Sequence, residues 1–559
     1  MKALSGRDQS SWFIVFGLYL LACGVMLWPL IDFSHLSSGS FEGDPRLVIW
    51  ILGWNNHVVL DGIPSLFDAN MFHPDRNTLA LTEHLFGISL FTLPIYAVTR
   101  NPVLAYNIVW LLSFLLSAMS AHVLVWRILR SHSAALVAGL VYAFCFFKMH
   151  QGHAHLQIIW SFWIPVSLVL VERWFVRPTW MRMATLVACV ILQALASWYL
   201  AVMILVADAL WLSWLMLERY FTTGRLTGIG SPRALLIQLV AALLLGAVLL
   251  SPFVDRYAAM SPGNPTEASA QSADLAAYFV PPENTWPGRA LQKLGSTAPR
   301  WIWGERTLYV GYVTLALAGI GVWCALRERV AAFAVVRFCV ALALLAFALS
   351  LGPADPQGWG WSPFGLFARL PAMTLFRVPA RFALLVMLGV AVLAGVGAWD
   401  LGRRLGNKAL VVMLLGIPLL LSESFVIGFP GGRPRQLPIP AVYRYLAALP
   451  PGAVVSLPDF LQTAEWYREA DYLYFSTAHW KPIVNGYARV TPAGFADRIR
   501  HIQTFPSAES ADYLRSLGVT YVVVHVGIDE AALARARQSD DFSLLLHADD
   551  DYLFRVNPN

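Results

Sequence analysis

Apolar stretches that reach or approach the roughly 20 residues a helix needs to cross a bilayer start near residue 11 and recur until about residue 427. A backbone surrounded by lipid must satisfy its own hydrogen bonds, so each stretch predicts a helix. Eleven of them read as spans, at residues 11–31, 102–126, 134–147, 158–175, 183–197, 200–217, 234–251, 308–326, 331–351, 382–399 and 409–427. A twelfth, at 85–99, is shorter and interrupted by Pro94. Only 13% of the residues are charged, against about a quarter in soluble domains. That excludes a soluble globule and predicts a polytopic α-helical membrane protein. The first run is too long for a signal-peptide core and lacks a clean cleavage site, so it predicts an uncleaved span.

Basic residues set the expected orientation. Lys2 and Arg7; Arg127 and Arg130; Arg173, Arg177 and Arg182; Arg219, Arg225 and Arg233; Arg327, Arg329 and Arg337; and Arg403, Arg404 and Lys408 form clusters outside the runs or toward their ends. Placed together in the cytoplasm, they make every full run cross once, provided residues 85–99 do not. The N-terminus is then cytoplasmic, and segments 32–84, 148–157, 252–307 and 352–381 lie outside. The formal charge of +6 thus serves topology, and nucleic acid is not expected as a partner. All five cysteines lie in or beside apolar runs, which indicates neither a disulfide framework nor a cysteine zinc site.

Two regions are expected: a membrane domain over 1–428 and a soluble extracytoplasmic α/β domain over 429–559, joined by the Gly- and Pro-rich stretch 428–440. In the second, AVYRYLAAL, AGFADRIRHI, SAESADYLRSL and DEAALARARQ read as helices. AVVSLP, PIVNGYA and VTYVVVHV read as strands, and SLLLHADDDYLFRV as a closing hairpin.

Candidate chemistry concentrates in the expected outer segments. Asp44-Pro45 marks a helix start and Gly62 its end. Leu47, Val48, Ile51, Leu52, Val58 and Val59 share one face and Arg46, Trp50, Gly53 and His57 the other, so the helix is expected to lie along the bilayer surface. Glu42 and Asp44 are candidate general bases, with an N-cap as the plain alternative for Asp44. Glu83 precedes His84, and His150, His153 and His155 fall within six residues. Either a divalent metal or a substrate contact suits that group. Arg377 and Arg381, one helical turn apart in LFRVPARF, suit a phosphate, with snorkelling to lipid headgroups as the alternative. Trp50 can stack on a sugar ring or anchor an interface.

The phrases GDPRLVIWILGWNNH, LFDANMFHPDRNTLALTEHLFG, RNPVLAYN, HAHLQ, LFRVPARF and KPIVNGYARVTP resemble a group of bacterial GT-C-like proteins, akin to the YfhO-like membrane proteins. More broadly, the chain resembles the GT-C superfamily of integral-membrane glycosyltransferases, which includes the protein O-mannosyltransferases and the aminoarabinose transferases of lipid A. The resemblance implies a GT-C-like bundle of about 11–12 spans, a polyprenyl-phosphate sugar donor, inversion at the anomeric carbon, and a catalytic carboxylate in the first outer loop. Asp44 is the matching position, with Glu42 in support. Many relatives carry two adjacent acids where this chain has Glu42-Gly43-Asp44, which leaves the identity of the base and the need for a metal open. The expectation is therefore a glycosyltransferase of the bacterial inner membrane that acts on a lipid, glycan or protein acceptor outside. Arg377 and Arg381 would hold the donor phosphate, and Glu83, His57, His153, His155 and Trp50 would contact substrate. A flippase for a lipid-linked sugar and a non-catalytic glycan-assembly partner are the alternatives.

Overall fold

A computed structural model describes the chain except for residues 1–5, 29–34, 225–231, 258–262, 295–303, 328–332, 372, 429–433, 461–462, 526–529 and 559. The start of the expected linker and the boundary at 428/429 therefore lie at the edge of the described residues. Each of the eleven expected runs is mostly helical over its described residues. By length and composition, seven described segments are long and apolar enough to cross a membrane: Ser10–Leu27, Pro102–Leu129, His132–Gln151, Leu156–Val176, Trp198–Thr223, Arg233–Tyr257 and Pro379–Ser424. The last holds two helices, Ala383–Leu405 and Ala409–Ser424. Trp180–Ala196, Tyr312–Arg327 and Ala334–Ser350 are shorter apolar helices. So is Phe86–Thr99, whose 14 residues rise only about 21 Å against a hydrocarbon core of about 30 Å.

The chain packs as two compact units. One comprises residues 1–30, 110–252 and 261–433. At its centre, Ala383–Leu405 packs on Tyr312–Arg327, Phe333–Ser350 and His132–Phe144. The first fourteen residues of that helix, 383–396, are all buried. Small residues make this possible, because between lipid-immersed helices close backbone approach replaces the hydrophobic effect as the source of affinity. A Cβ on Gly397 would lie 1.9 Å from the Leu317 carbonyl oxygen, and one on Gly321 2.2 Å from that of Leu393.

The run at 134–147 does not stay one helix. It breaks at Cys145, whose ψ is 147°, and resumes as the short helix Phe146–Gln151. The next run breaks between Leu156–Ile159 and Trp163–Val176. The Tyr142 hydroxyl donates to the carbonyl and hydroxyl oxygens of Ser161, each at 3.1 Å, tying one break to the other. Irregular backbone at this depth is tolerated where protein buries it, and residues 141–149 are buried throughout.

The second unit is discontinuous in sequence, comprising residues 31–109, 253–260 and 434–559. Its main sheet has the order β3 (Ala453–Leu457), β4 (Val519–Val524), β6 (Asp551–Val556), β5 (Phe542–Ala548). The β3–β4 pair is parallel and the other pairs are antiparallel, with flanking helices at Ala441–Ala448, Phe495–Ile502, Ala508–Ser516 and Glu530–Gln538. A small sheet joins β1 (Gly39–Ser40) to β2 (Arg435–Gln436). The expected strand at PIVNGYA forms only a single parallel bridge, Val454 to Ile483. The helix Asp44–Asp61 ends at Gly62, in left-handed conformation, as expected. It is not a surface helix, however: residues 45–56 are buried all round, because Phe86–Thr99 and the helix Glu469–Ser476 both pack on it.

Candidate functional site

The discontinuous unit holds the acids of the first loop. Gly43, at φ +72°, is the N-cap of the Asp44 helix and contributes no side-chain cap. Its Cα lies against Tyr467 and Tyr487: a Cβ there would meet the Tyr467 Cβ at 3.4 Å and the Tyr487 hydroxyl at 3.8 Å. Asp44 is thus the first helical residue, and the N-cap position offered as its alternative role belongs to Gly43. Its Oδ1 accepts a hydrogen bond from the Tyr487 hydroxyl at 2.8 Å, and a carboxylate in a first turn is favoured by the helix dipole. Glu42 is exposed, 4.0 Å from Arg46 Nη2. Arg46 is buried and ion-paired with Asp471. Burial pushes the Asp471 carboxyl up, against the pull of the Arg46 guanidinium.

The remaining candidates of this unit are spread along it. Trp50 is fully buried and donates to Asn70 Oδ1 at 3.0 Å, so the ring expected to meet substrate belongs to the core. His57 bonds Asp61 at 2.6 Å and stacks on Trp480 at 4.7 Å; burial lowers its pKa. Glu83 is half-buried. Its neighbour His84 is buried, and its pKa is lowered to about 3 by burial.

In the other unit, Arg381 is buried over the Tyr199 ring, 4.7 Å from its centroid. Its Nε and Nη2 donate to Glu305 Oε1 at 3.1 and 2.6 Å. Glu305 Oε2 accepts from Gln151 Nε2 at 2.9 Å, and Gln151 Oε1 meets His155 Nδ1 at 2.7 Å. Burial alone would raise the Glu305 carboxyl, but Arg381, His155 and His150 outweigh it and hold it below the usual range. The network therefore joins Arg381 to His155. His153 sits beside it, its Nδ1 bonded to the His150 carbonyl. Arg377 pairs separately with Glu267 at 2.7 Å, while its backbone amide reaches the Tyr199 hydroxyl at 3.3 Å. Lys148 is buried with its Nζ 3.8 Å from the Tyr142 ring centroid.

His155 is engaged with Gln151 and the nearby carboxylate with Arg381, and among the described residues no group of three His, Cys, Asp or Glu can hold an ion. Sequence reasoning missed Glu305, Tyr487 and the Arg46–Asp471 pair. A buried arginine demands a buried acid, but Asp274, Glu283 and Glu305 all lie in the same loop region. Trp301 and Trp303, whose rings could stack on a sugar as well as anchor an interface, lie outside the described residues.

No protein-family model matches the chain, and no curated protein does. Solved structures match along its length. The arabinofuranosyltransferase AftD from Mycobacteria superposes with a TM-score of 0.57 at 13% identity, over 100% of this chain and 40% of that one. The chain thus spans about two fifths of the AftD chain. An Archaeoglobus fulgidus oligosaccharyltransferase in complex with Zn and sulfate matches with a TM-score of 0.47 at 13% identity, over 94% and 70% of the two chains. ArnT from Cupriavidus metallidurans matches with 0.44 at 13% identity, over 99% and 100%. With its buried apolar helices, its small C-terminal sheet and its superposition on AftD, the chain has the GT-C fold of integral-membrane glycosyltransferases.

Proposed function

We propose that this protein is an inverting glycosyltransferase of the bacterial inner membrane that moves a sugar from a polyprenyl-phosphate donor to an extracytoplasmic lipid, glycan or protein acceptor. The observation that carries the reading is Asp44: a half-buried carboxylate at the first position of a helix, accepting a hydrogen bond from the Tyr487 hydroxyl. As the acceptor hydroxyl attacks the anomeric carbon, Asp44 takes its proton and the glycosyl–phosphate bond breaks. The electron pair leaves on the lipid phosphate. Glu42 adds a second carboxylate to the first loop, and Arg377 and Arg381, paired with Glu267 and Glu305, are each retained as a candidate contact for the donor phosphate. The donor diffuses in the membrane, so no nucleotide-sugar site is required. His153, His155, His57 and Glu83 are retained as substrate contacts to be tested singly. Trp50 is assigned to packing.

The test is transfer from a radiolabelled undecaprenyl-phosphate sugar by the purified full chain. Asp44→Asn is expected to lose on the order of 10²–10⁴ in rate; unchanged transfer would remove Asp44 from the mechanism. Arg381→Gln and Arg377→Gln are expected to raise the KM for the donor.

A further inference from the structure

Next to Asp44 lies an exposed aromatic surface that the reaction as written does not use. Trp466 opens the short turn Trp466–Arg468 and is 49% exposed. One face of its indole stacks on Tyr487, with ring centroids 5.1 Å apart and planes 9° from parallel. Tyr487 is the residue whose hydroxyl holds Asp44, and Tyr467 covers Gly43 beside it. Charged side chains flank Trp466 in sequence: Glu465 pairs with Arg468 at 2.8 Å, their side chains 54% and 47% exposed.

We propose that Trp466, backed by Tyr487, is a stacking platform for a sugar ring of the acceptor. This deepens the glycosyltransferase reading, on which it rests, by making the acceptor a glycan. A sugar ring has an apolar C–H face edged by hydroxyls. A flat, half-exposed indole offers the matching apolar face, and the exposed carboxylate of Glu465, the preceding residue in sequence, offers a hydrogen-bond acceptor. A tryptophan that served as a membrane anchor would be expected among apolar neighbours, whereas this one is followed closely by Arg468 and Glu469 and preceded by Thr463 and Glu465. The stack on Tyr487 fixes the indole before the ligand arrives, so little side-chain freedom remains to be lost on binding.

The test is saturation-transfer NMR of short arabino-, manno- and gluco-oligosaccharides with the detergent-solubilised full chain, alongside transfer kinetics. Trp466→Ala is expected to weaken saccharide binding about tenfold and to raise the KM for the acceptor while the KM for the polyprenyl-phosphate donor stays unchanged. Trp466→Phe, which keeps the stack on Tyr487, retains most of the binding and serves as the folding control. Asp44→Asn should bind saccharide normally while losing transfer. Equal saccharide binding by wild type and Trp466→Ala overturns the platform. So does a wild type that binds none of the saccharides, or one that binds only lipid or peptide. Transfer that persists in Asp44→Asn alongside loss of binding in Trp466→Ala would fail the base assignment and leave the platform standing.

Discussion

Arg46 and Asp471 have side chains only 4% and 14% exposed, so each is buried largely on the strength of the other. Removing one leaves an uncompensated buried charge, which costs about 3–5 kcal/mol. Asp471→Asn is therefore expected to lower the thermal midpoint of the full chain markedly, and adding Arg46→Met should restore much of the loss. A double variant as unstable as the two single losses combined would show that the pair is not the cause. Glu469 gives a second residue-level test. Burial, with Asp459 beside it, pushes its carboxyl up to about 8. A carboxyl raised on folding stabilises the fold below its unfolded value of about 4.3 and loses that contribution as pH rises through the raised value. Unfolding midpoints should thus be higher at pH 5 than at pH 9, and Glu469→Gln should flatten the difference.

At the scale of elements, the helices were legible in the sequence because a long apolar run in lipid has essentially one solution. The same logic explains the crossing of Ala383–Leu405 with Tyr312–Arg327. Gly397→Val, which places two methyl groups where a Cβ alone would sit 1.9 Å from a carbonyl oxygen, should prise the helices apart. A loss of monodisperse folded protein in size-exclusion chromatography would report it, and unchanged yield and midpoint would count against tight packing there. What could not be read were features fixed by distant partners. Asp-Pro announced the helix start, but whether Asp44 or Gly43 would cap it depends on the backbone twist at Gly43, where Tyr467 and Tyr487 close in from far along the chain. The segment PIVNGYA has strand chemistry, and its amides do pair: Val484 N donates to Val454 O at 2.9 Å. On the other side Phe72 N donates to Asn485 O at 3.0 Å, and His73 N to Ile483 O at 2.9 Å. Residues of the first loop occupy its second edge, so no regular ladder extends. Trp50 and His57 were assigned to a polar face because periodicity sorts residues by type, while Phe86–Thr99 and Glu469–Ser476 cover that helix on more than one side.

At the scale of the whole molecule, we propose from the basic clusters that the loops bearing His155 and Arg381, the first loop and the C-terminal segment face outward. Single cysteines introduced at the exposed or half-exposed positions Ser37, Ala154, Gln357 and Ala508 should all react with a membrane-impermeant maleimide in intact cells. The five native cysteines are buried and should stay silent. Protection of Ala154 alone would mean that Phe86–Thr99 crosses the bilayer. The division of the chain also has a consequence in time. Residues 31–109 belong to the same unit as residues 434–559, and on the order of 300 residues must be synthesised between them. At translation speeds of about 5–20 residues per second, that is roughly 15–60 s. Throughout that interval Arg46 has emerged while its counter-ion Asp471 does not yet exist. A newborn first loop must therefore wait, hydrated or chaperoned, for residues 434–559 to be made.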